Sequence, residues 1–307
     1  LWHANKNTVE GAKEAIKYLP EAAEGEKSAD QQRRIVIVTA ECLGRLAHKE
    51  HAAELLEKQL DKAPHPDLYL ALANLEENIE ERMKIINKAF EMYELKPVGF
   101  KTDYSTATYD DLITLSSDQG HKVHDGPKVS VILPAFKAEF GIRVAIESIL
   151  SQSWQNIELL VVDDCSPDGT VETIGEYAEK DSRVKLLSTP KNSGPYTARN
   201  IAMKEASGEF ITINDADDWS HEQKIETQVR HLMENDKVIA NTSEHARLTE
   251  ELTLYRRGTP GKYIFPNMSS IMFRKNEVLD KVGYWDSVRF AADGEFKRRL
   301  IREFGQK

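Results

Sequence analysis

The chain has few cysteines, few aromatic residues and no long apolar run. Its 307 residues include two cysteines, Cys42 and Cys165, too few for a disulfide framework. Neither has a second cysteine or a histidine at metal-site spacing, so we expect both to be small core residues in a protein of a reducing compartment. Aromatic residues make up 8% of the chain. No apolar run approaches the ~20 residues of a membrane span, and no signal peptide is recognisable.

Basic residues are also in deficit. The sequence has 41 Lys and Arg against 51 Asp and Glu, a net charge of −10. Nucleic-acid-binding proteins need a basic surface to displace counterions, so nucleic acid is not an expected partner. A chain of this length suits two domains. It begins at Leu1 rather than Met and ends soon after an amphipathic helix, so we expect it to be part of a longer protein.

Residues 1–98 have the composition and period of α-helices. Alanine, leucine, glutamate and lysine recur at helical spacing, and Pro64 and Pro97 each follow a helical stretch. The resulting self-similarity of about 33 residues resembles the tetratricopeptide repeat, with about two repeats and part of a third. A plain helical bundle is the alternative. Stacked repeats expose a concave face, so we expect this region to hold a protein partner, a polymeric acceptor or the neighbouring domain.

Residues 99–127 are rich in glycine, serine, threonine and aspartate and predict a linker. From Lys128 onward, apolar runs typical of strands alternate with amphipathic helices. Dense strand–helix alternation predicts a mostly parallel sheet with helices on both faces. Strands are expected at residues 129–133, 157–162, 184–187, 210–213 and 263–273.

Carboxylates follow the fourth of these predicted strands. Asp215, Asp217 and Asp218 come directly after the run 210–213, at the edge of a parallel sheet where ligands bind. Three carboxylates in four residues repel one another, and a divalent cation such as Mg²⁺ or Mn²⁺ relieves that repulsion. A charged surface turn is the alternative.

Six ordered sequence blocks resemble the family 2 glycosyltransferases of the GT-A fold, over residues 128 to about 304. The blocks are VSVILPAF (129–136), SILSQ (148–152), ELLVVDDCSPDGT (158–170), NSG (192–194), ARN (198–200) and DADD (215–218). Two departures are visible: Cys165 stands where glycine is more usual, and Lys137 where asparagine is common. The expected architecture is therefore an all-α repeat domain followed along the chain by an α/β GT-A domain at 128–307. We expect the GT-A domain to be incomplete at its C-terminal end.

This resemblance implies transfer of a sugar, with inversion, from a nucleotide-diphosphate donor, usually a UDP-sugar, to a hydroxyl of a saccharide or glycan acceptor. By the family pattern, Pro134, Ala135 and Phe136 contact the nucleoside. Asp164 accepts a hydrogen bond from the base, and Asp163 supports it.

The same pattern assigns the donor phosphates and the metal. Asp217 resembles the main ligand of Mn²⁺ or Mg²⁺, and Asp215 reaches the ribose or the metal. Arg199 resembles a contact to the donor phosphates or to the base edge, although a surface cation on a helix is an alternative.

The last third of the chain is expected to carry the acceptor site. Family members place a general base just ahead of a helix here. Asp293 fits that position best, with Glu295 as its rival; a carboxylate that merely stabilises a helix start is the alternative for either. Trp285, Tyr263 and Phe290 are candidates for stacking on sugar rings, but each is equally consistent with a core residue.

Two other functions compete with this assignment. One is a non-catalytic repeat scaffold with a degenerate transferase domain, although Asp217 and Asp293 are both retained. The other is a nucleotidyltransferase, but residues 134–141 are not the glycine-rich, basic phosphate loop it would normally carry. From the habits of the family we expect a cytoplasmic enzyme of surface or capsular polysaccharide synthesis, peripheral at the inner face of the membrane.

Overall fold

The computed structural model describes residues 2–115, 121–256 and 258–306. The chain forms two compact units. The first comprises residues 1–116 together with 244–265, and the second comprises 117–243 together with 266–307. Residues 116–120 of the predicted linker lie outside the described part. No helix in that part is long and apolar enough to cross a membrane.

The N-terminal part of the chain is helical, as predicted. It contains α1 (Val9–Ala23), α2 (Ala29–Arg45), α3 (Lys49–Lys62), α4 (Pro66–Ala73) and α5 (Ile79–Glu91). Side-chain oxygens cap three of these helices, because Thr8, Ser28 and Asn78 each accept a hydrogen bond from a backbone N–H in the first turn. Consecutive helices pack on one another from α1 to α5. The tetratricopeptide-like repeat stays a prediction.

Part of the predicted linker has regular structure. Strand β1 (Val98–Phe100) pairs antiparallel with β2 (Leu112–Thr114). The Asn87 side chain holds the start of this ribbon, since it accepts from the amide of Val98 at 2.7 Å and donates to the Val98 carbonyl at 2.8 Å. The boundaries of the predicted domains, 98 and 128, stay predictions.

The second unit contains a six-stranded mixed sheet in the order β5-β4-β3-β6-β12-β7. Strands β3 to β6 are parallel, and β12 is antiparallel to both of its neighbours. The elements are β3 (Val129–Ala135), α6 (Ile142–Leu150), β4 (Ile157–Asp163), α7 (Thr170–Lys180), β5 (Val184–Ser188), α8 (Pro195–Glu205), β6 (Phe210–Ile213), α9 (Lys224–Glu234), β7 (Ala240–Asn241), β12 (Met272–Arg274), α10 (Lys275–Lys281) and α11 (Ala292–Phe304). Between β7 and β12 lie four two-residue strands, β8 (Glu244–His245), β9 (Arg247–Leu248), β10 (Leu254–Tyr255) and β11 (Phe265–Pro266).

Helices cover both faces of this sheet. All residues of β3, β4 and β6 are buried, which explains why these strands read as continuous apolar runs. Alternate residues belong to opposite cores: Val131 packs with α6, α7 and α9, whereas Ile132 packs with α8, α10 and α11. The predicted sheet with helices on both faces is therefore confirmed.

Residues 244–265 belong to the same unit as the N-terminal helices, whereas the sequence predicts them to be part of the C-terminal domain. Within the first unit, Arg256 and Tyr263 both contact Glu41 of α2, at 3.0 Å and 2.9 Å. Asn74 exchanges two hydrogen bonds with the backbone of Leu254. Leu254 and Tyr263 are buried, so this segment completes the core of the helical unit. Helical periodicity cannot reveal such a contact, because the partners lie far apart in sequence.

The prediction of one continuous strand over residues 263–273 is wrong. The region contains β11, a 3-10 turn at Met268–Ser270 and then β12. Pro266 lacks a backbone N–H and cannot continue a ladder. The side chain of Asn267 accepts from the amide of Ser269 at 3.0 Å and stabilises the turn.

The two residues that depart from the family pattern both have positive φ angles. Lys137 has φ of 53° and Cys165 has φ of 59°, a left-handed conformation favoured by glycine and asparagine. Those are the residues that are more usual at these positions. Cys165 is also exposed, so the expectation of a core residue is wrong for Cys165, whereas Cys42 is buried.

Candidate active site at the carboxyl edge of the sheet

The ends of three parallel strands, β3, β4 and β6, bring most of the predicted donor-site residues to one edge. Ala135 lies opposite Asp163 in the β3–β4 ladder, and the amide of Asp164 donates to the Ala135 carbonyl at 2.8 Å. On the other side of β3, the amide of Asn214 donates to the Ile132 carbonyl at 3.0 Å. The carboxylates after β4 and β6 therefore flank the end of β3.

A pocket of about 430 Å³, including its open mouth, lies at this edge. Four predicted nucleoside contacts line it, together with four further residues. The lining residues are Pro134, Ala135, Phe136, Asp164, Asn192, Gly194, Pro195 and Arg289.

Asp164 shapes one wall of the pocket. Its carboxylate accepts from the Thr189 hydroxyl at 2.6 Å, from the amide of Ser193 at 2.9 Å and 3.0 Å, and from the amide of Gly194 at 2.7 Å. Gly194 has φ of 91°, so a side chain at this bend would be strained. These four contacts match the roughly four lone-pair sites of a carboxylate. Asp164 therefore holds the loop 192–194 in place without any ligand.

Asp163 is buried and supports the neighbouring turn. Both of its carboxylate oxygens accept from the amide of Ser166 at 3.2 Å. Asp163 is not among the described residues that line the pocket, and its role beside Asp164 in donor binding stays a prediction.

Arg199 joins two of the predicted catalytic and metal-site carboxylates. Its Nη1 donates to Oδ1 of Asp293 at 2.7 Å, and its Nη2 donates to Oδ1 of Asp215 at 2.8 Å. The Arg199 side chain is 3% exposed, whereas those of Asp215 and Asp293 are 31% and 25% exposed. Although burial alone would lower it, the two carboxylates raise the pKa of Arg199. The guanidinium therefore lies beneath two solvent-accessible carboxylates and stays charged.

Asp293 is held by two donors from one helix. Tyr196 Oη donates to Oδ2 of Asp293 at 2.9 Å, while Arg199 holds Oδ1. Tyr196 and Arg199 are three positions apart on α8, so they lie on the same face of that helix. Burial, assisted by the charge of Asp293, raises the pKa of Tyr196. Tyr196 is therefore a neutral donor. Together with Arg199 it fixes the orientation of the Asp293 carboxylate.

An aromatic wall surrounds this cluster. The Arg199 guanidinium lies 5.2 Å from the ring centre of Tyr196 and 5.8 Å from that of Trp285, within cation–π range. Trp285 is 3% exposed and stacks on Phe296 at 4.3 Å. Of the three aromatic candidates for sugar stacking, Trp285 and Tyr263 are core residues. Phe290 alone is exposed, at 83%.

Glu295, the rival candidate for the general base, is committed elsewhere. Its carboxylate pairs with Arg299 one turn further along α11, at 2.6 Å and 2.7 Å. This hydrogen-bonded pair lowers the pKa of Glu295. The geometry therefore favours Asp293, which lies in the same cluster as Asp215, over Glu295.

The turn that carries Asp215 and Asp217 is braced from inside. Lys224 Nζ donates to Oδ1 of Asn214 at 3.2 Å and to Oγ of Ser220 at 3.1 Å. Asn214 in turn donates to the backbone carbonyl of Asp215 at 3.0 Å. Asp217 is exposed at the tip of the turn. Among the described residues, no three His, Cys, Asp or Glu side chains form a ready-made metal cage.

Sequence reasoning missed three residues of this site. Tyr196, Lys224 and Arg289 were not proposed, although Tyr196 lies one helical turn before Arg199 and was therefore a detectable neighbour. Lys224 follows the carboxylate turn at the start of α9, and its contact with Asn214 depends on the fold of that turn. Arg289 reaches the pocket from a loop 94 positions after Pro195, and no local pattern signals such an approach.

The fold and the site define a class of protein. A mixed, mostly parallel sheet between helices, with a pocket and carboxylates at the carboxyl ends of its parallel strands, is typical of α/β proteins that bind ligands at this edge. A family model described as glycosyl transferase family 2 matches residues 130–296, more than half of the chain. The chain belongs to this family of glycosyltransferases.

Two curated relatives illustrate the similarity. An uncharacterized glycosyltransferase of Haemophilus influenzae is 43% identical over 115 residues, 38% of this chain and 46% of that protein. The UDP-Glc:alpha-D-GlcNAc-diphosphoundecaprenol beta-1,3-glucosyltransferase WfgD of Escherichia coli is 43% identical over 108 residues, 35% of this chain and 42% of that protein. The chain thus spans less than half the length of these relatives.

A solved structure is also similar. The S. aureus TarS fragment 1–349 aligns with a TM-score of 0.47 and 22% identity, over 57% of this chain and 56% of that chain.

Proposed function

We propose that this protein is an inverting, metal-dependent glycosyltransferase that moves a sugar from a UDP-linked donor to a hydroxyl of a saccharide or glycan acceptor. One observation carries the proposal. Arg199 holds the carboxylates of Asp215 and Asp293 in a single cluster, through contacts of 2.8 Å and 2.7 Å. Arg199 thereby links Asp215, which follows β6 beside the proposed metal site, to Asp293, the proposed base.

Asp293 supplies the general base in this proposal. An acceptor hydroxyl is a poor nucleophile at neutral pH, so a positioned carboxylate must take its proton as it attacks the anomeric carbon. The C–O bond to the new sugar forms while the bond to the nucleoside diphosphate breaks, and the proton passes to Asp293. Tyr196 and Arg199 hold the two oxygens of Asp293, so the carboxylate needs little reorganisation before attack.

The turn after β6 would hold the metal. Mg²⁺ is commonly bound by one or two carboxylates together with substrate phosphates, and Asp217 with Asp215 provides such a partial set. The lack of a complete protein cage among the described residues fits this arrangement. When bound there, Mn²⁺ or Mg²⁺ would stabilise the charge that develops on the leaving diphosphate. Asp217 is the main ligand in this proposal, and Asp215 is shared with Arg199.

The pocket lined by Pro134, Ala135, Phe136 and Asp164 would receive the nucleoside. The Escherichia coli relative, a beta-1,3-glucosyltransferase that takes UDP-Glc and alpha-D-GlcNAc-diphosphoundecaprenol, supports a UDP-sugar donor and a role in bacterial surface polysaccharide synthesis. The proposal places the protein in the cytoplasm, at the inner face of the membrane where such an acceptor is presented. The helical repeats are proposed to hold a protein partner.

A repeat scaffold with a degenerate transferase domain is the alternative. In a degenerate domain, no selection would keep the site residues hydrogen-bonded to one another. The hydrogen-bonded group Tyr196, Arg199, Asp215 and Asp293 disfavours it, because an unused site has no reason to keep a buried cation beneath two accessible carboxylates.

Nucleotide-sugar hydrolysis tests the proposal. The protein is incubated with UDP-, GDP- and CDP-sugars, with and without Mn²⁺, and release of the nucleoside diphosphate is measured. We expect slow release from one UDP-sugar only when Mn²⁺ is present, and UDP should raise the melting temperature. Neither release from any donor nor stabilisation by any nucleotide would favour the scaffold.

Asp217→Ala tests the metal assignment separately. The side chain is exposed on a turn, so the fold should survive while Mn²⁺-stimulated binding of UDP is lost. Asp236→Ala removes an exposed aspartate of the same unit and serves as the control. If UDP and Mn²⁺ stabilise the Asp217→Ala variant as well as they stabilise the Asp236→Ala variant, the metal assignment is wrong.

A further inference from the structure

Arg289 is the cationic residue that lines the pocket at the sheet edge. The eight described residues around the pocket include two charged side chains, Asp164 and Arg289. Asp164 directs its oxygens to Thr189 and to the amides of Ser193 and Gly194. The negative charge of the pocket wall is therefore engaged by the protein, whereas Arg289 is exposed.

The position of Arg289 is set by the loop that faces it. Its Nη2 donates to the carbonyl of Asn192 at 2.8 Å. A side chain at Gly194 would meet Cγ of Arg289 at 3.2 Å, so the glycine allows the arginine to lie close against the loop. A guanidinium has five N–H donors. One bond to a carbonyl therefore leaves several donors for a ligand in the pocket.

Arg199, which the family pattern assigned to the donor phosphates, is in a different situation. It is 3% exposed, and its Nη1 and Nη2 atoms are engaged by Asp293 and Asp215. A phosphate that took the place of either carboxylate on Nη1 or Nη2 would break a hydrogen bond that the protein already makes. Arg289 requires no such exchange, because its hydrogen bond is to the carbonyl of Asn192 and not to a carboxylate.

We propose that Arg289 binds the phosphate groups of the nucleotide donor, while Arg199 acts as an internal clamp on the two carboxylates. This inference rests on the proposed function. The planar fork of a guanidinium matches the spacing of phosphate oxygens and gives bidentate, charge-assisted hydrogen bonds. The uncharged walls of the pocket, from Pro134 to Phe136 and at Pro195, suit the nucleoside, and the arginine suits the anionic part.

Binding of nucleotides with different phosphate content tests this assignment. Dissociation constants of UDP, UMP and uridine are measured in Mn²⁺ for the unmodified chain and for Arg289→Gln, Arg289→Lys and Arg302→Gln. Arg302 is an exposed arginine of α11 in the same unit, so its variant controls for the loss of one positive charge. Melting temperatures confirm that each variant is folded.

We expect Arg289→Gln to weaken UDP about ten- to a hundred-fold, the effect of losing hydrogen bonds to a charged group. Uridine should change by less than about three-fold, and Arg302→Gln should bind all three ligands normally. Arg289→Lys keeps the charge but not the fork, so it should recover part of the loss. Unchanged UDP affinity, or an equal loss for uridine and UDP, would overturn the assignment.

The same measurements separate this inference from the proposed function. If the unmodified chain binds GDP or CDP rather than UDP, the donor identity is wrong, and the comparison is made with that nucleotide and its nucleoside. If the unmodified chain binds no nucleoside diphosphate, the proposed function and this inference both fail. If UDP binds to the unmodified chain and to Arg289→Gln alike, this inference alone fails.

Discussion

Asp215 and Asp293, which lie 78 positions apart in the sequence, accept hydrogen bonds from the two terminal nitrogens of one arginine. Arg199 donates to both at 2.8 Å and 2.7 Å. Removing one partner of a buried charge leaves the other charge uncompensated, which is costly. The cluster therefore behaves as a unit, and a change at one carboxylate alters the surroundings of the other.

Tyr196→Phe should slow catalysis without weakening donor binding. The change removes the hydroxyl that donates to Oδ2 of Asp293 at 2.9 Å and keeps the ring against Arg199. Loss of a hydrogen bond to a charged group is worth about 1.5–3 kcal/mol, so kcat should fall by roughly ten-fold or more. Steady-state kinetics and UDP titration check this. A loss confined to UDP affinity would show that Tyr196 does not act through Asp293.

Lys224 should make stability depend on pH in the alkaline range. Burial lowers the pKa of Lys224 to about 8, although the Asp218 and Asp215 carboxylates oppose the shift. An unfolded lysine has a pKa of about 10.4. Between these values the unfolded chain binds a proton that the folded chain has released, so the free energy of unfolding from this group rises with pH. This contribution is complete above about pH 10.4 and is lost as the pH falls through 8.

The comparison with Lys224→Met isolates this contribution. Urea unfolding of both chains at pH 7.5, 8.5 and 9.5 gives the difference between their free energies of unfolding. That difference should shift in favour of the unmodified chain at each step. A difference that stays constant across the three pH values would mean that Lys224 titrates normally.

Glu41→Ala should destabilise the helical unit. Glu41 pairs with Arg256 at 3.0 Å and accepts from the Tyr263 hydroxyl at 2.9 Å, and the Glu41 and Arg256 side chains are 11% and 10% exposed. Breaking a buried ion pair from one side costs about 3–5 kcal/mol, so denaturant unfolding should begin at a lower concentration. Glu14→Ala, which removes an exposed ion pair with Lys17, is the control. Equal behaviour of the two variants would contradict a structural role for residues 244–265.

The sequence was sufficient to place the strands that build the site. The run Phe210–Ile213 forms a strand with the predicted bounds, and the run beginning at Val129 extends two residues further than expected, to Ala135. These predictions succeed because a strand buried on both faces leaves a continuous apolar run. The side chains after each strand then follow from the geometry of parallel sheets.

The contacts among those side chains were not predictable. Arg199 was expected to contact the donor phosphates or the base edge, which stays a prediction, and its hydrogen bonds to Asp293 and Asp215 were not foreseen. Arg256 binds Glu41 although the two lie 215 positions apart. Periodicity and local motifs describe which residues are buried, not which distant residues meet. Such pairings depend on how helices and loops pack, so they become visible only in the folded chain.

Transfer by Asp293→Asn, set against Glu295→Gln, tests the central claim most directly. Each change keeps the size of the side chain and removes its basic site. With the UDP-sugar that the protein uses, Asp293→Asn should reduce transfer by roughly 10²–10⁴, the range for general-base catalysis, and binding of UDP and Mn²⁺ should be nearly unchanged. Glu295→Gln should transfer normally, because that carboxylate serves Arg299. If Glu295→Gln abolishes transfer while Asp293→Asn remains active, Asp293 is not the base and the proposed mechanism is wrong.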